Sequence, residues 1–164
     1  MSNSNKTVII LCGIPGSGKT HYANHVRSFH PDTTRIVSAD HFHIQPDGSY
    51  QFDFRNLREA HNQCLRNYMA ALLEPEVTHI IVDNNNTSNW ERASYVAQAQ
   101  LMGVPVEHHM IHCEPEVAVV RQTHNVPARV VWQRHFAMED PIPFWGKVFD
   151  VTADPADVYA RVLR

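Results

Sequence analysis

The densest chemistry in the chain lies in Gly13-Ile14-Pro15-Gly16-Ser17-Gly18-Lys19-Thr20. Glycines at these spacings let the backbone curl so that successive N–H groups point inward, where they can donate to the oxygens of a polyphosphate. A lysine at the end of the curl adds a positive charge for the terminal phosphates, and the next hydroxyl can reach a divalent cation. An apolar run, Thr7-Val8-Ile9-Ile10-Leu11-Cys12, precedes the motif and a helical pattern follows it. That is the context in which a helix N-terminus faces the anion. Gly13, Pro15, Gly16, Ser17, Gly18, Lys19 and Thr20 are therefore read as the ATP-contacting set of a Walker A motif, with Mg²⁺ at Thr20. Asp83 ends a second run, Ile80-Ile81-Val82. A carboxylate there can hold the Mg²⁺ shell or support an acceptor, or it can simply start a turn into Asn84-Asn85-Asn86.

A phosphate donor needs an acceptor. Asp40 follows the run Arg35-Ile36-Val37-Ser38-Ala39 and is read as the base that orients a hydroxyl and takes its proton. A helix cap is the plainer reading of the same residue. His43, Arg55 and Arg58 are candidates for the acceptor side, together with Asp83. Developing negative charge also calls for cations. Arg121 and Arg129 flank the break at Asn125-Val126-Pro127 and are read as lid arginines, with the lid at about 121–130 and Arg134 beyond it. Phe42, Tyr50, Phe52 and Phe54 cluster near Asp40, either to stack on a base or to pack a core. His108, His109, His112 and Cys113 have the residue types of a zinc site. Strand alternation sends His108 and His112 to one face and His109 and Cys113 to the other, so convergence is not expected.

These residues need elements to hold them. The pattern predicts strands over 7–12, 35–39, 78–82, 104–111 and 147–151, with helices over 19–29, 54–73, 88–102, 115–125, 128–136 and 155–163. Asp47-Gly48 marks a tight turn, read as the tip of a hairpin. The loop over 152–155 is placed at the edge of the adenine pocket. Strand and helix alternate along the chain, which calls for a parallel sheet with helices on both faces. Ligands bind at the carboxyl ends of such strands, where Gly13 to Thr20, Asp40 and Asp83 all fall. The expected fold is a three-layer α/β P-loop NTPase with five parallel strands and a small lid, in one domain over 1–164.

The chain has 164 residues, 43% hydrophobic, with a formal net charge of −3. That suits one domain and argues against a broad nucleic-acid coat, although a few local arginines can still grip a strand end. No run is long enough to span a membrane, and the polar start lacks an apolar leader core, so a cytoplasmic location is expected. Three scattered cysteines fit reduced thiols rather than a disulfide frame. No obligate protein partner is evident.

Taken together, Gly13 to Thr20, Ser38-Ala39-Asp40-His41-Phe42, Tyr50-Gln51-Phe52-Asp53-Phe54, Glu59-Ala60-His61, Ile81 to Thr87 with Trp90-Glu91, and Arg121 with His124 to Pro127 resemble small P-loop kinases related to polynucleotide 5′-hydroxyl kinases. That group includes bacterial and phage proteins termed AAA family ATPases, and the resemblance reaches from about residue 7 to 136. It implies ATP and Mg²⁺ at Lys19 and Thr20, activation of a hydroxyl by Asp40, metal or acceptor support by Asp83 and a lid arginine at Arg121. Two positions depart from the pattern. His43 stands where those kinases carry an arginine, and Asn125 stands where they carry a second lid arginine, unless Arg129 replaces it. The leading expectation is transfer to a polynucleotide 5′-hydroxyl or nucleotide-like group. A kinase of a small molecule or of a modified base in DNA is the alternative, and a nucleotide-binding ATPase switch is a third.

Overall fold

The computed structural model describes residues 5–152. Five strands, β1 (Thr7–Cys12), β2 (Thr34–Val37), β3 (His79–Val82), β4 (Val106–Ile111) and β5 (Lys147–Val151), form one sheet in the order β2-β3-β1-β4-β5. All neighbouring pairs are parallel, and Ile9 stands opposite Ile81 on one side and Glu107 on the other. The central strand is buried on both faces, which is why β1 is a continuous apolar run rather than an alternating one.

Alternation along the strands still decides which layer each side chain joins. Val8, Ile10 and Cys12, with Ile80 and Val82, pack against Ala60, Cys64, Tyr68 and Leu72 of α2 (Leu57–Leu73) and Tyr95, Val96 and Ala99 of α3 (Asn89–Leu101). Ile9, Leu11, Ile81 and Ile111 face the other way, onto Tyr22, Ala23 and Val26 of α1 (Lys19–Phe29). Burying each such aliphatic side chain is worth about 1.5–3 kcal/mol. A third small cluster of Ile14, Ala118 and Val131 seats α4 (Pro115–Arg121) and α5 (Ala128–Phe136) beside the loop after β1. The architecture is thus the expected three-layer α/β fold with a five-stranded parallel sheet.

Boundaries differ where local hydrogen bonding competes with the periodic pattern. β2 stops at Val37, because the Ser38 hydroxyl accepts from the Asp40 N–H and starts a 3₁₀ turn over Ala39–His43. The helical pattern from 54 opens as a separate 3₁₀ turn, Phe54–Asn56, capped by Asp53, and α2 begins at Leu57. Val104 and Pro105 precede β4 rather than joining it. Helix α4 ends at Arg121, before the break expected at Asn125. At α3 the cap is Ser88, whose hydroxyl accepts from the Glu91 N–H while the Glu91 carboxylate accepts from the Ser88 N–H. Lys6 caps the far end of α2, donating to the carbonyls of Ala71, Leu72 and Glu74. The helix expected over 155–163, and all of the 152–155 edge beyond Thr152, lie outside the described residues.

Candidate active site

The loop after β1 has a shape that only its residue types permit. Gly16 and Gly18 take φ of 81° and 95°, a region that side chains with a Cβ rarely adopt. A Cβ on Gly13 would stand 2.8 Å from Ser17 Oγ, and one on Gly16 would collide with the Ala118 carbonyl. Lys19 is buried and its ammonium donates to the Ile14 carbonyl at 2.8 Å, across the loop. Burial pushes that ammonium down to about 8, partly opposed by the Asp83 and Asp40 carboxylates. The lysine is therefore a poorly solvated cation folded back over a glycine-rich loop, an arrangement that a polyphosphate would stabilise.

Asp83 sits just beyond β3 and is buried. Its Oδ2 accepts from the Thr20 hydroxyl at 2.7 Å. Burial raises its carboxyl above the ordinary range, while Thr20 and Lys19 oppose the rise. A hydroxyl beside a carboxylate is a hard-oxygen donor pair that fits Mg²⁺. No group of three or more His, Cys, Asp or Glu able to hold a metal occurs among the described residues. Mg²⁺ does not need such a cage, since it commonly keeps waters and takes phosphate oxygens. The residues present thus fit a magnesium–nucleotide.

Asn84, Asn85 and Asn86 lock this site together, a role their sequence did not reveal. The Asn84 Oδ1 accepts from the Ala39 N–H at 2.8 Å and so fixes the turn that carries Asp40. The Asn85 carbonyl accepts from the Gly13 N–H at 2.9 Å. Asn86, at a φ of 48°, donates from Nδ2 to the Leu11 carbonyl at 2.7 Å. One loop thereby ties the ends of β1, β2 and β3. Arg92 anchors that loop from behind. Fully buried, it donates to the carbonyls of Asn86, Thr87 and Glu139 and to Asn89 Oδ1. In sequence Arg92 looks like any helix arginine; the signal available was an Asn-rich turn running straight into a capping box.

Asp40 lies in the 3₁₀ turn after β2, exposed, and accepts from the Tyr50 hydroxyl at 3.0 Å. Its charge acts on Lys19 and Asp83, so the three groups share one electrostatic neighbourhood. His43 is buried among the rings of Phe42, Tyr50 and Phe52. Arg55 is exposed and paired with Asp53 at 2.7 Å, and Arg58 is exposed in the first turn of α2. Arg121 ends α4 beside the 13–20 loop, its Nη2 lying 3.5 Å from where a Cβ on Gly18 would stand. Arg129 is exposed in the first turn of α5. Arg134 is instead engaged by Glu91, at 2.7 Å, and Thr87, which fastens α5 to the start of α3. Of the histidines on and after β4, His108 is fully buried, His109 contacts Tyr22 and Glu107, and His112 contacts Asp150. A cavity of about 390 Å³ opens at the opposite end of the sheet, near Lys6, His30 and His79, away from all of this chemistry.

Comparison with known proteins gives three kinds of likeness. A family model described as an AAA domain matches residues 8–134. NEDD4-binding protein 2 of Homo sapiens is 37% identical over 93 residues, covering 57% of this chain; the chain's match spans only 5% of that protein's length. Among solved structures, a gluconokinase from Sinorhizobium meliloti 1021 aligns with a TM-score of 0.61 at 18% identity, covering 97% of this chain and 90% of that one. The Pnkp1/Rnl/Hen1 RNA repair complex aligns at 0.61 and 18% identity, covering 81% of this chain and 44% of its own. At such identities the structural likeness is one of fold. No helix among the described residues is long and apolar enough to cross a membrane.

Proposed function

The chain belongs to the AAA-domain family matched over residues 8–134, and from that premise we propose that it is an ATP-dependent phosphotransferase acting on the hydroxyl of a small molecule. One observation carries the reading: Lys19, the Thr20–Asp83 pair and Asp40 converge at the carboxyl ends of the strands, where a donor and an acceptor can meet. A nucleotide-binding switch needs the first three groups and has no use for the fourth.

In this account the acceptor hydroxyl lies between Asp40 and the γ-phosphate. Its oxygen forms a bond to phosphorus, the bond from phosphorus to the bridging oxygen breaks, and ADP leaves with that electron pair. Asp40 takes the hydroxyl proton. Backbone N–H groups of the 13–20 loop and Lys19 hold the phosphates. Arg121, beside Gly18, adds positive charge, and Arg129, exposed in the first turn of α5, would approach if the segment over 121–130 closed as a lid. Bound Mg²⁺, with Thr20 and Asp83 as its protein-side oxygens, supplies charge neutralisation at the phosphates.

Two features support a small acceptor over a polynucleotide end. A strand end presents several phosphates, yet Arg55 is already paired with Asp53, and His43, where related kinases carry arginine, is sealed among aromatic rings. The likeness to a gluconokinase also runs across nearly the whole of both chains. A polynucleotide 5′-hydroxyl is the second reading, supported by the likeness to an RNA repair complex. The base assignment is tested with Asp40→Ala. The variant is expected to bind ATP normally and to lose phosphate transfer; transfer at the wild-type rate would remove Asp40 from the mechanism.

A further inference from the structure

One tyrosine touches both the acceptor-side carboxylate and the α4–α5 loop. Tyr50 closes a short hairpin in which Ile44 and Tyr50 form an antiparallel bridge and Gln45 donates its N–H to the Ser49 carbonyl at 2.8 Å. From there its hydroxyl donates to Asp40 Oδ1 at 3.0 Å. Its ring meets the His124 ring edge-on, with centroids 4.0 Å apart. His124 lies between α4 and α5, next to Asn125 at a φ of 54° and ahead of Val126, whose N–H is held by Gln122 Oε1 at 2.9 Å. Burial and the neighbouring carboxylate raise the Tyr50 phenol, so it remains a proton donor.

The geometry has a consequence for Asp40. An exposed carboxylate on a 3₁₀ turn can rotate freely, and a base that rotates is aligned with its acceptor only part of the time. We propose that Tyr50 is a positioning residue for phosphate transfer: its hydroxyl holds one Asp40 oxygen, leaving the other for the acceptor, and its ring is braced by His124 of the α4–α5 loop. The proposal rests on the reading of Asp40 as the acceptor-side base. It makes the sequence Tyr50-Gln51-Phe52-Asp53-Phe54 part of the reaction machinery rather than core or base-stacking surface, and it gives the α4–α5 loop a direct mechanical link to the base.

The test uses water as the probe acceptor, so no acceptor need be known. Hydrolysis of Mg·ATP is followed in single turnover, with enzyme in excess so that slow rates register. The proteins are the wild type, Asp40→Asn, Tyr50→Phe, His124→Ala and the double variants. Tyr50→Phe keeps the ring and loses only the hydroxyl; it is expected to slow the reaction at least about tenfold, with ATP affinity and thermal midpoint unchanged. His124→Ala is expected to slow it about threefold. Neither loss should appear in the Asp40→Asn background, because both act through Asp40, whereas a merely structural role gives losses that add. A Tyr50→Phe rate equal to the wild type, or a loss that adds to that of Asp40→Asn, overturns the proposal and leaves the base reading standing. An Asp40→Asn rate equal to the wild type overturns the base reading itself, and Tyr50 then has no base to position.

Discussion

Lys19 makes nucleotide affinity depend on pH in a way that can be worked out beforehand. Its ammonium is pushed down to about 8 by burial and donates to the Ile14 carbonyl. A bound polyphosphate would supply the countercharge that burial removed, so the lysine in the complex stays protonated well above that value. Below about pH 7 the free protein already carries the proton, and binding is at its strongest. At about pH 9 roughly nine in ten free molecules have lost it and must take it up again on binding. Affinity should therefore fall about tenfold between about pH 7 and pH 9, equivalent to about 1.4 kcal/mol. Calorimetric titration with Mg·ADP, whose terminal phosphate is fully ionised over that range, measures this directly. Repeating it in two buffers of different ionisation heat should show uptake of about one proton at pH 9. Lys19→Arg, which does not titrate there, should flatten the profile. An affinity constant within twofold from pH 7 to 9, with no proton uptake, would refute the picture of a desolvated lysine awaiting its anion.

Other perturbations read the supporting structure. Arg92→Met removes four donated hydrogen bonds from a fully buried site and takes the Arg92 donor from the Asn86 and Glu139 carbonyls, while the Thr87 carbonyl keeps the Glu139 N–H. Urea unfolding should show a loss of about 3–5 kcal/mol, and a loss under about 1 kcal/mol would mean that the loop over 84–87 holds itself. His108 is fully buried and its imidazole is pushed down to about 4 by burial, then by Arg92. The unfolded chain therefore binds that proton first, so this contribution is complete above about pH 6.5 and is lost as pH falls toward 4. At about pH 5 the loss is about 2 kcal/mol, and His108→Leu should lessen the acid sensitivity by that amount. An unchanged pH dependence in the variant would show that folding leaves the proton affinity of His108 unaltered.

The residues that announced themselves in sequence are those whose chemistry is set by local spacing. The curl from Gly13 to Thr20 needs its glycines in a row, and β1 needs its apolar run, so both are legible over a few residues. Asp83 could be placed because a short apolar strand delivers it. Residues whose roles depend on partners far along the chain were not legible. Arg92 meets Glu139, Asn86 meets Leu11, and Tyr50 meets His124; nothing near any of them in sequence names the partner. Element ends moved for a related reason. A serine or aspartate side chain that bonds its own backbone, as Ser38 and Asp53 do, ends one element and starts a turn without changing hydrophobic periodicity. Arg134 shows the converse, since its position close to the lid candidates did not disclose its tie to Glu91.

Phosphate transfer by this site is tested most directly by following labelled γ-phosphate from ATP and Mg²⁺ onto a panel of sugars, nucleosides, simple alcohols, DNA carrying hydroxymethylated bases and 5′-hydroxyl oligonucleotides, with Lys19→Ala as the blank. Label is expected on a small hydroxyl compound, dependent on Lys19 and absent in Asp40→Ala. Label confined to the oligonucleotides would replace the acceptor class and keep the mechanism. Release of labelled phosphate to water alone, unaffected by Asp40→Ala, would contradict the claim that this site transfers phosphate to an acceptor.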